Sequence, residues 1–223
     1  MFNVQRDVPP PDCLSSNIYN DPTVVSELKR IFLGKCYLCE QARLTDPEIE
    51  HFIPHEGNDV LKYDWNNLFY SCSRCNSIKG STHINLLNCT DPTIDVFSEI
   101  EHIAPSISSD KVVLRPHREN PSLKTLNTIR LLEECFNSKN TGLRGITREN
   151  LNEKLMTGLS RMITLRQKLT DLDSTEEEIQ HCKASLKAMC STKYPFSVFW
   201  KWYINLDAFM LQMHPNIKQE LGI

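Results

Sequence analysis

Cys36-Tyr-Leu-Cys39 and Cys72-Ser-Arg-Cys75 are two C-x-x-C pairs separated by 32 residues. Each such turn presents two thiolates from one knuckle, and two knuckles complete the tetrahedral set that Zn²⁺ favours. The other five cysteines, Cys13, Cys89, Cys135, Cys182 and Cys190, share no such spacing, and Cys135 and Cys182 fall on apolar helical stripes, so these five read as core thiols. An odd total of nine disfavours a closed disulfide framework. A zinc ion with four cysteines is coordinatively closed and holds structure only. Chemistry is left to the polar residues that the knuckles would fix: Glu50, His51, His55, Asn67 and Asn76.

An imidazole near neutral pKa suits deprotonation of water, and a carboxylate with an amide oxygen is a hard ligand set for Mg²⁺. Together they outline metal-assisted phosphodiester hydrolysis: a base, a metal and a leaving oxygen that needs charge neutralisation. One feature opposes this. Glu50 and His51 are neighbours on an expected strand and point to opposite faces of a regular pleat, unless the strand end twists.

The string Glu50-His51-Phe-Ile-Pro54, then Asn67-Leu68, then Cys72-Ser-Arg-Cys75-Asn76-Ser-Ile-Lys79-Gly80 resembles the HNH endonucleases in their zinc-stapled form, over about a fifth of the chain. The resemblance implies a ββα-metal site. By that pattern His51 is the general base, Asn67 orients the His51 loop through hydrogen bonds to backbone, and Glu50 and Asn76 bind a catalytic Mg²⁺ or Mn²⁺. The metal would stabilise the scissile phosphate and the departing 3′ oxygen, leaving a 5′-phosphate end. Two positions depart from the pattern: Glu50 stands where Asp or His is usual, and Asn76 where His is. His55 is either an accessory to the site or a solvated loop residue, Lys79 either a phosphate contact or a surface lysine, and His83 a weaker accessory candidate.

A second resemblance rests on Val4-Gln-Arg6 with the triple proline, Arg115-Pro116-His117, and Tyr194-Pro-Phe196 through Trp202-Tyr203. These are similar to the HNH subunit of Septu-type and retron-associated anti-phage systems, which implies an ATPase partner. Docking to it would use the acidic stretch Ser81 to Asp110 or the aromatic C-terminal helix, unless those aromatics are internal core. DNA is the default substrate by family analogy, with RNA open. Two rivals are a non-catalytic zinc module that binds nucleic acid and an interaction subunit that braces a partner. The set Glu50, His51, Asn67 and Asn76 argues against the second.

The elements that must position these residues follow from caps and periodicity. Residues 1–19 read as an extended arm. A helix starts at Asp21 and Pro22, carries Val25, Leu28, Ile31 and Phe32, and stops at Gly34. Ile49 to Ile53 alternates as a half-buried strand; Leu68 to Tyr70 is a second, running into Cys72, and Asn76 to Lys79 begins a helix. From Ser122 the pattern is helical: Ser122 to Phe136, Arg148 to Leu172 capped by Thr147, a helix from Ser174 with a Glu177 capping box, and Tyr194 to Met213. The expected class is α+β, mainly α. The expected parts are an arm (1–19), an HNH module with zinc knuckles (20–90), an acidic-to-basic linker (91–121) and a helical region (122–223).

Over 223 residues the net charge of -3 excludes a uniformly basic nucleic-acid coat. The charge is polarised, however: Lys111 to Thr170 holds 12 Lys+Arg against 5 Asp+Glu, while Ser81 to Asp110 holds 5 acids and no Lys or Arg. Lys154, Arg161 and Lys168 recur every seven residues on one helix side, a row that could track a phosphate backbone. No stretch approaches a membrane span and Met1 to Pro11 lacks the features of a signal peptide, so the expected address is the cytoplasm and no membrane partner is expected.

Overall fold

The computed structural model describes residues 1–107, 110–139 and 147–223. The class is α+β and mainly helical, with two small β-hairpins and a buried cluster of four cysteines. Residues 108–109 of the acidic stretch and 140–146 of the basic one lie outside the described residues.

Helix α1 (Pro22–Ile31) begins where Asp21 accepts from the Thr23 amide, and buries Val24, Leu28 and Ile31. Gly34, at φ +68°, closes it by donating its backbone N–H to the Lys29 carbonyl. Strand β1 (Pro47–His51) pairs antiparallel with β2 (Leu68–Cys72), placing Glu50 opposite Phe69 and His51 opposite Leu68. The loop between them carries the short helix α2 (Asp59–Tyr63), capped by Asn58, and a 3-10 turn Trp65–Asn67. Helix α3 (Ser73–Lys79) follows β2 without a loop. Strand β1 stops at His51 rather than Ile53 because the side chain of Asn67 occupies both backbone polar groups of Ile53, leaving none for a ladder.

The stretch expected as a linker, 91–121, instead carries a second antiparallel hairpin, β3 (Ile100–Ile103) with β4 (Val113–Pro116). Val96, Ile100, Val112 and Leu114 are buried, and across the strands Glu101 meets Arg115 directly. Cross-strand charge pairs of this kind hold a hairpin whose sequence lacks long apolar alternation.

The helical part follows the caps. Helix α4 (Leu123–Asn137) starts at Ser122 and α5 (Arg148–Leu169) at Thr147. Helix α5 ends three residues earlier than its leucine spacing suggests, since Thr170 turns its amide and hydroxyl back onto the Arg166 and Gln167 carbonyls, and Leu172 is left in solvent. Helix α6 (Glu176–Cys190) has its capping box at Thr175 and Glu178, one residue beyond Ser174 and Glu177; the Ser174 hydroxyl is engaged by the Lys168 carbonyl at 2.7 Å. The expected last helix is broken at Asp207 into α7 (Ser197–Leu206) and α8 (Ala208–Met213), because Asp207 caps α8 and pairs with Arg166. Helix α9 (Ile217–Leu221) ends the chain. Phe196, Phe199, Trp200 and Trp202 are buried, so these aromatics are core and not a docking face.

The N-terminal segment is not a free arm. Met1, Phe2, Val4 and Leu14 are buried, the Val4 amide bonds the Cys89 carbonyl, and the Asn3 side chain bridges Ile94 and Val96. Arg6 donates to the Leu68 carbonyl and lies over the rings of Trp65 and Phe69. Residues 12–16 form a 3-10 turn, which delivers Tyr19 to the face of His51. Among the described residues no helix is long and apolar enough to cross a membrane.

Candidate active site

The first knuckle is built at the exit of α1: the Cys36 amide donates to Gln41, the Glu40 amide donates to Cys36, and Glu40 takes φ +58° to turn the chain. The second is the β2–α3 joint, where Cys72 is the residue before the helix and its sulfur accepts from the Cys75 amide. The four Sγ atoms of Cys36, Cys39, Cys72 and Cys75 lie within 4.8 Å of one another, and all four residues are buried. The Sγ atoms of Cys39 and Cys72 are 3.9 Å apart. Tetrahedral Zn–S bonds of about 2.3 Å require sulfurs roughly 3.8 Å apart, so the cluster is near the size that ion needs.

Beside this staple, Tyr19, Glu50, His51, His55 and Asn76 line one open cleft of about 440 Å³. Glu50 and His51 reach it together because His51 is the last residue of β1, where the pleat ends. The Nε2–H of His51 donates to the Lys62 carbonyl at 3.0 Å. A carbonyl can only accept, so this bond settles the neutral tautomer and leaves Nδ1 as the lone pair. Burial lowers the His51 pKa below its ordinary value, which keeps the ring neutral. The rings of Tyr19 and His55 stand 4.9 and 4.6 Å from it, both edge-on.

Asn67 is buried and spends its whole amide on backbone. Its Oδ1 accepts from the Ile53 amide at 2.7 Å, and its Nδ2 donates to the Ile53 and Leu61 carbonyls at 2.8 and 2.9 Å. It therefore ties the segment after β1 to α2, the helix whose Lys62 carbonyl holds His51. Asn67→Ala strands these partners and is expected to lower stability by roughly 2–4 kcal/mol, measured as a shift in the denaturant midpoint. An unchanged midpoint would show that water replaces the amide without loss.

Glu50 is buried against α3. Its Oε1 accepts from Lys79 Nζ at 2.8 Å, while Oε2 is buried without a hydrogen-bond partner among the described residues. Burial raises this carboxyl to about 7 even though Lys79 pulls it down. A desolvated carboxylate oxygen with no donor is a fit for a divalent cation, and Asn76, whose amide oxygen is also a hard donor, lines the same cleft. Lys79 is wholly buried and also donates to the His51 carbonyl at 2.8 Å, so it is neither a surface lysine nor a phosphate contact.

The remaining candidates divide. His55 is in the cleft, its Nδ1 accepting from the Gly57 amide. His83 is outside it, 3.4 Å from Glu134. Lys154, Arg161 and Lys168 are exposed on α5 and none lines the cleft; Arg161 reaches the Tyr194 hydroxyl, and Lys168 pairs with Glu178 at 2.6 Å. Three contributors escaped the residue-type reading: Glu48, which accepts from Asn76 Nδ2; Tyr19; and the Lys62 carbonyl. Glu48 had a signal in the sequence, since it stands two residues before Glu50 and shares its strand face.

Residues 36–82 match the HNH endonuclease family. Two proteins described as "Septu protein PtuB" are similar to the chain. The one from Bacillus thuringiensis is 32% identical over 84 residues, covering 36% of this chain and 32% of that protein. The one from Bacillus mycoides is 42% identical over 73 residues, covering 26% of this chain and 25% of that protein. The matched stretches thus span about a third and a quarter of those relatives. No solved structure matches the chain at a significant level.

Proposed function

The chain carries an HNH endonuclease domain over residues 36–82, and from that premise we propose that it is a metal-dependent endonuclease hydrolysing phosphodiester bonds of nucleic acid, DNA first. The observation that carries this reading is the shared cleft: a neutral imidazole whose Nδ1 lone pair takes no hydrogen bond from the described residues, beside a buried carboxylate oxygen that finds no donor among them. Either alone is a common structural accident. Their meeting supplies a base and a cation seat within one cavity.

In this reading Glu50 Oε2 and Asn76 Oδ1 hold Mg²⁺ or Mn²⁺, and Cys36, Cys39, Cys72 and Cys75 hold a structural Zn²⁺. A divalent ion seated there supplies charge neutralisation for the scissile phosphate and the departing 3′ oxygen. His51 Nδ1 takes a proton from water, and the resulting hydroxide attacks phosphorus. The P–O3′ bond breaks, leaving a 5′-phosphate on one fragment and a 3′-hydroxyl on the other once that oxygen is protonated. Through Nε2 the Lys62 carbonyl steadies the imidazolium formed in this step. Tyr19 and His55 flank the ring and limit its rotation.

The similarity to two Septu PtuB proteins supports a further role as the effector subunit of an anti-phage defence complex acting with an ATPase partner. The test of the core reading is cleavage of plasmid DNA and total RNA by the purified chain with Mg²⁺ or Mn²⁺, then with EDTA. Metal-dependent nicking of the plasmid is expected. Degradation of RNA alone would move the substrate class, and silence on both polymers would reject a nuclease that works without a partner.

A further inference from the structure

The unassigned residue with the clearest chemical consequence is Glu48. It lies on the same face of β1 as Glu50, two residues away, and half-buried against α3. There it accepts a hydrogen bond from Asn76 Nδ2. A side-chain amide has one donor end and one acceptor end, and oxygen facing a carboxylate would be repulsive, so the carboxylate itself dictates which end turns toward it. With Nδ2 committed to Glu48, Oδ1 is the amide atom left for the cleft that Asn76 lines, and it accepts no hydrogen bond from the described residues. Glu50 is treated similarly by Lys79, which takes Oε1 and leaves Oε2.

We infer that Glu48 is a positioning residue of the metal centre: it locks the Asn76 amide so that Oδ1 is presented to a divalent cation in the cleft that Glu50 also lines. The inference rests on the metal reading given above. Without the lock, the cation must itself turn and immobilise the Asn76 side chain as it binds, at a cost in affinity. Partners that orient metal ligands commonly change affinity or activity by about 10–100-fold.

The experiment is titration of Mn²⁺ into the whole zinc-loaded chain without nucleic acid, followed by calorimetry or by the electron-spin signal of free Mn²⁺. Wild type, Glu48→Ala and Glu48→Gln are compared, with thermal melting of each as a control. Glu48→Ala is expected to bind Mn²⁺ at least tenfold more weakly with little change in melting. Glu48→Gln keeps an acceptor for Asn76 Nδ2 but adds a donor that can hold the amide the other way round, so its affinity is expected to fall between those of wild type and Glu48→Ala. Wild-type affinity in Glu48→Ala overturns the inference. So does a Glu48→Gln variant as weak as Glu48→Ala, which would make Glu48 a ligand or a source of field. A wild-type chain that binds no Mn²⁺ overturns the catalytic-metal reading itself, an outcome distinct from either.

Discussion

Cys36→Ser is expected to destabilise the chain by more than about 4 kcal/mol, a loss confined to features such as a missing metal or a broken core. The four sulfurs come from two segments distant in sequence, the exit of α1 and the joint of β2 with α3, which also meet through the Tyr37 amide on the Tyr70 carbonyl. An ion held by both closes a loop of more than 30 residues and fixes the strand pair at its α3 end. Isolated zinc-finger peptides draw roughly 10–16 kcal/mol from their metal. The effect here is smaller, because Phe32, Tyr37, Leu68 and Phe69 already pack around the cluster. In a chain of this size each kcal/mol moves the melting temperature by about 2–4 °C, so a fall of about 10 °C or more is expected. Cys190→Ser is the matched control: it also alters a buried thiol, but one outside the cluster, and is expected to cost under about 2 kcal/mol. Metal analysis should find one zinc per chain in wild type and in Cys190→Ser, and none in Cys36→Ser. A wild-type chain that melts at the same temperature after exhaustive chelation would dispose of the zinc staple.

How much of this was legible in sequence depended on the range of the interaction. Caps are local, and Asp21, Ser122 and Thr147 start their helices as their side chains dictate. The two C-x-x-C turns are equally local, and the four thiols do converge. The failures are long-range. Met1 to Val4 has no periodicity, and it is buried because Cys89, Ile94 and Val96 supply backbone partners some 85 to 93 residues away. Lys79 looks like any lysine ending a short helix, and only the fold reveals that its charge is spent on Glu50, 29 residues upstream. The row Lys154, Arg161 and Lys168 is a real helix face by spacing, but Glu178 on the next helix neutralises one end of it. Hairpin β3–β4 was hidden because its pairing runs through Glu101, Arg115 and His117, residues that read as solvated charge when taken singly. Of the polar residues between the knuckles that residue types named, Glu50, His51, His55 and Asn76 line the cleft and Asn67 is buried outside its lining, whereas Glu48 and the Lys62 carbonyl make contacts that no residue type announces.

His51→Ala is expected to cut the cleavage rate by about 10²–10⁴, the contribution of one positioned base, equivalent to roughly 3–5.5 kcal/mol of barrier. Its stability cost should be small. The ring is half-buried, and its loss frees one carbonyl, that of Lys62, a residue that is itself only partly buried. Three readouts separate a missing base from a damaged site. Melting should stay within about 2 °C of wild type. Mn²⁺ affinity should also be unchanged, since the ligand set proposed here is Glu50 with Asn76 and does not include the imidazole. Added imidazole should restore part of the rate, because the truncated side chain leaves room between Tyr19 and His55 for a free base to occupy. The rescue is expected to grow with the concentration of neutral imidazole, and so to rise with pH through its own titration near 7. Weaker Mn²⁺ binding in His51→Ala would make His51 a ligand instead of a base. Unimpaired cleavage would remove the imidazole from the chemistry altogether and leave the cleft with a cation seat but no group to activate water.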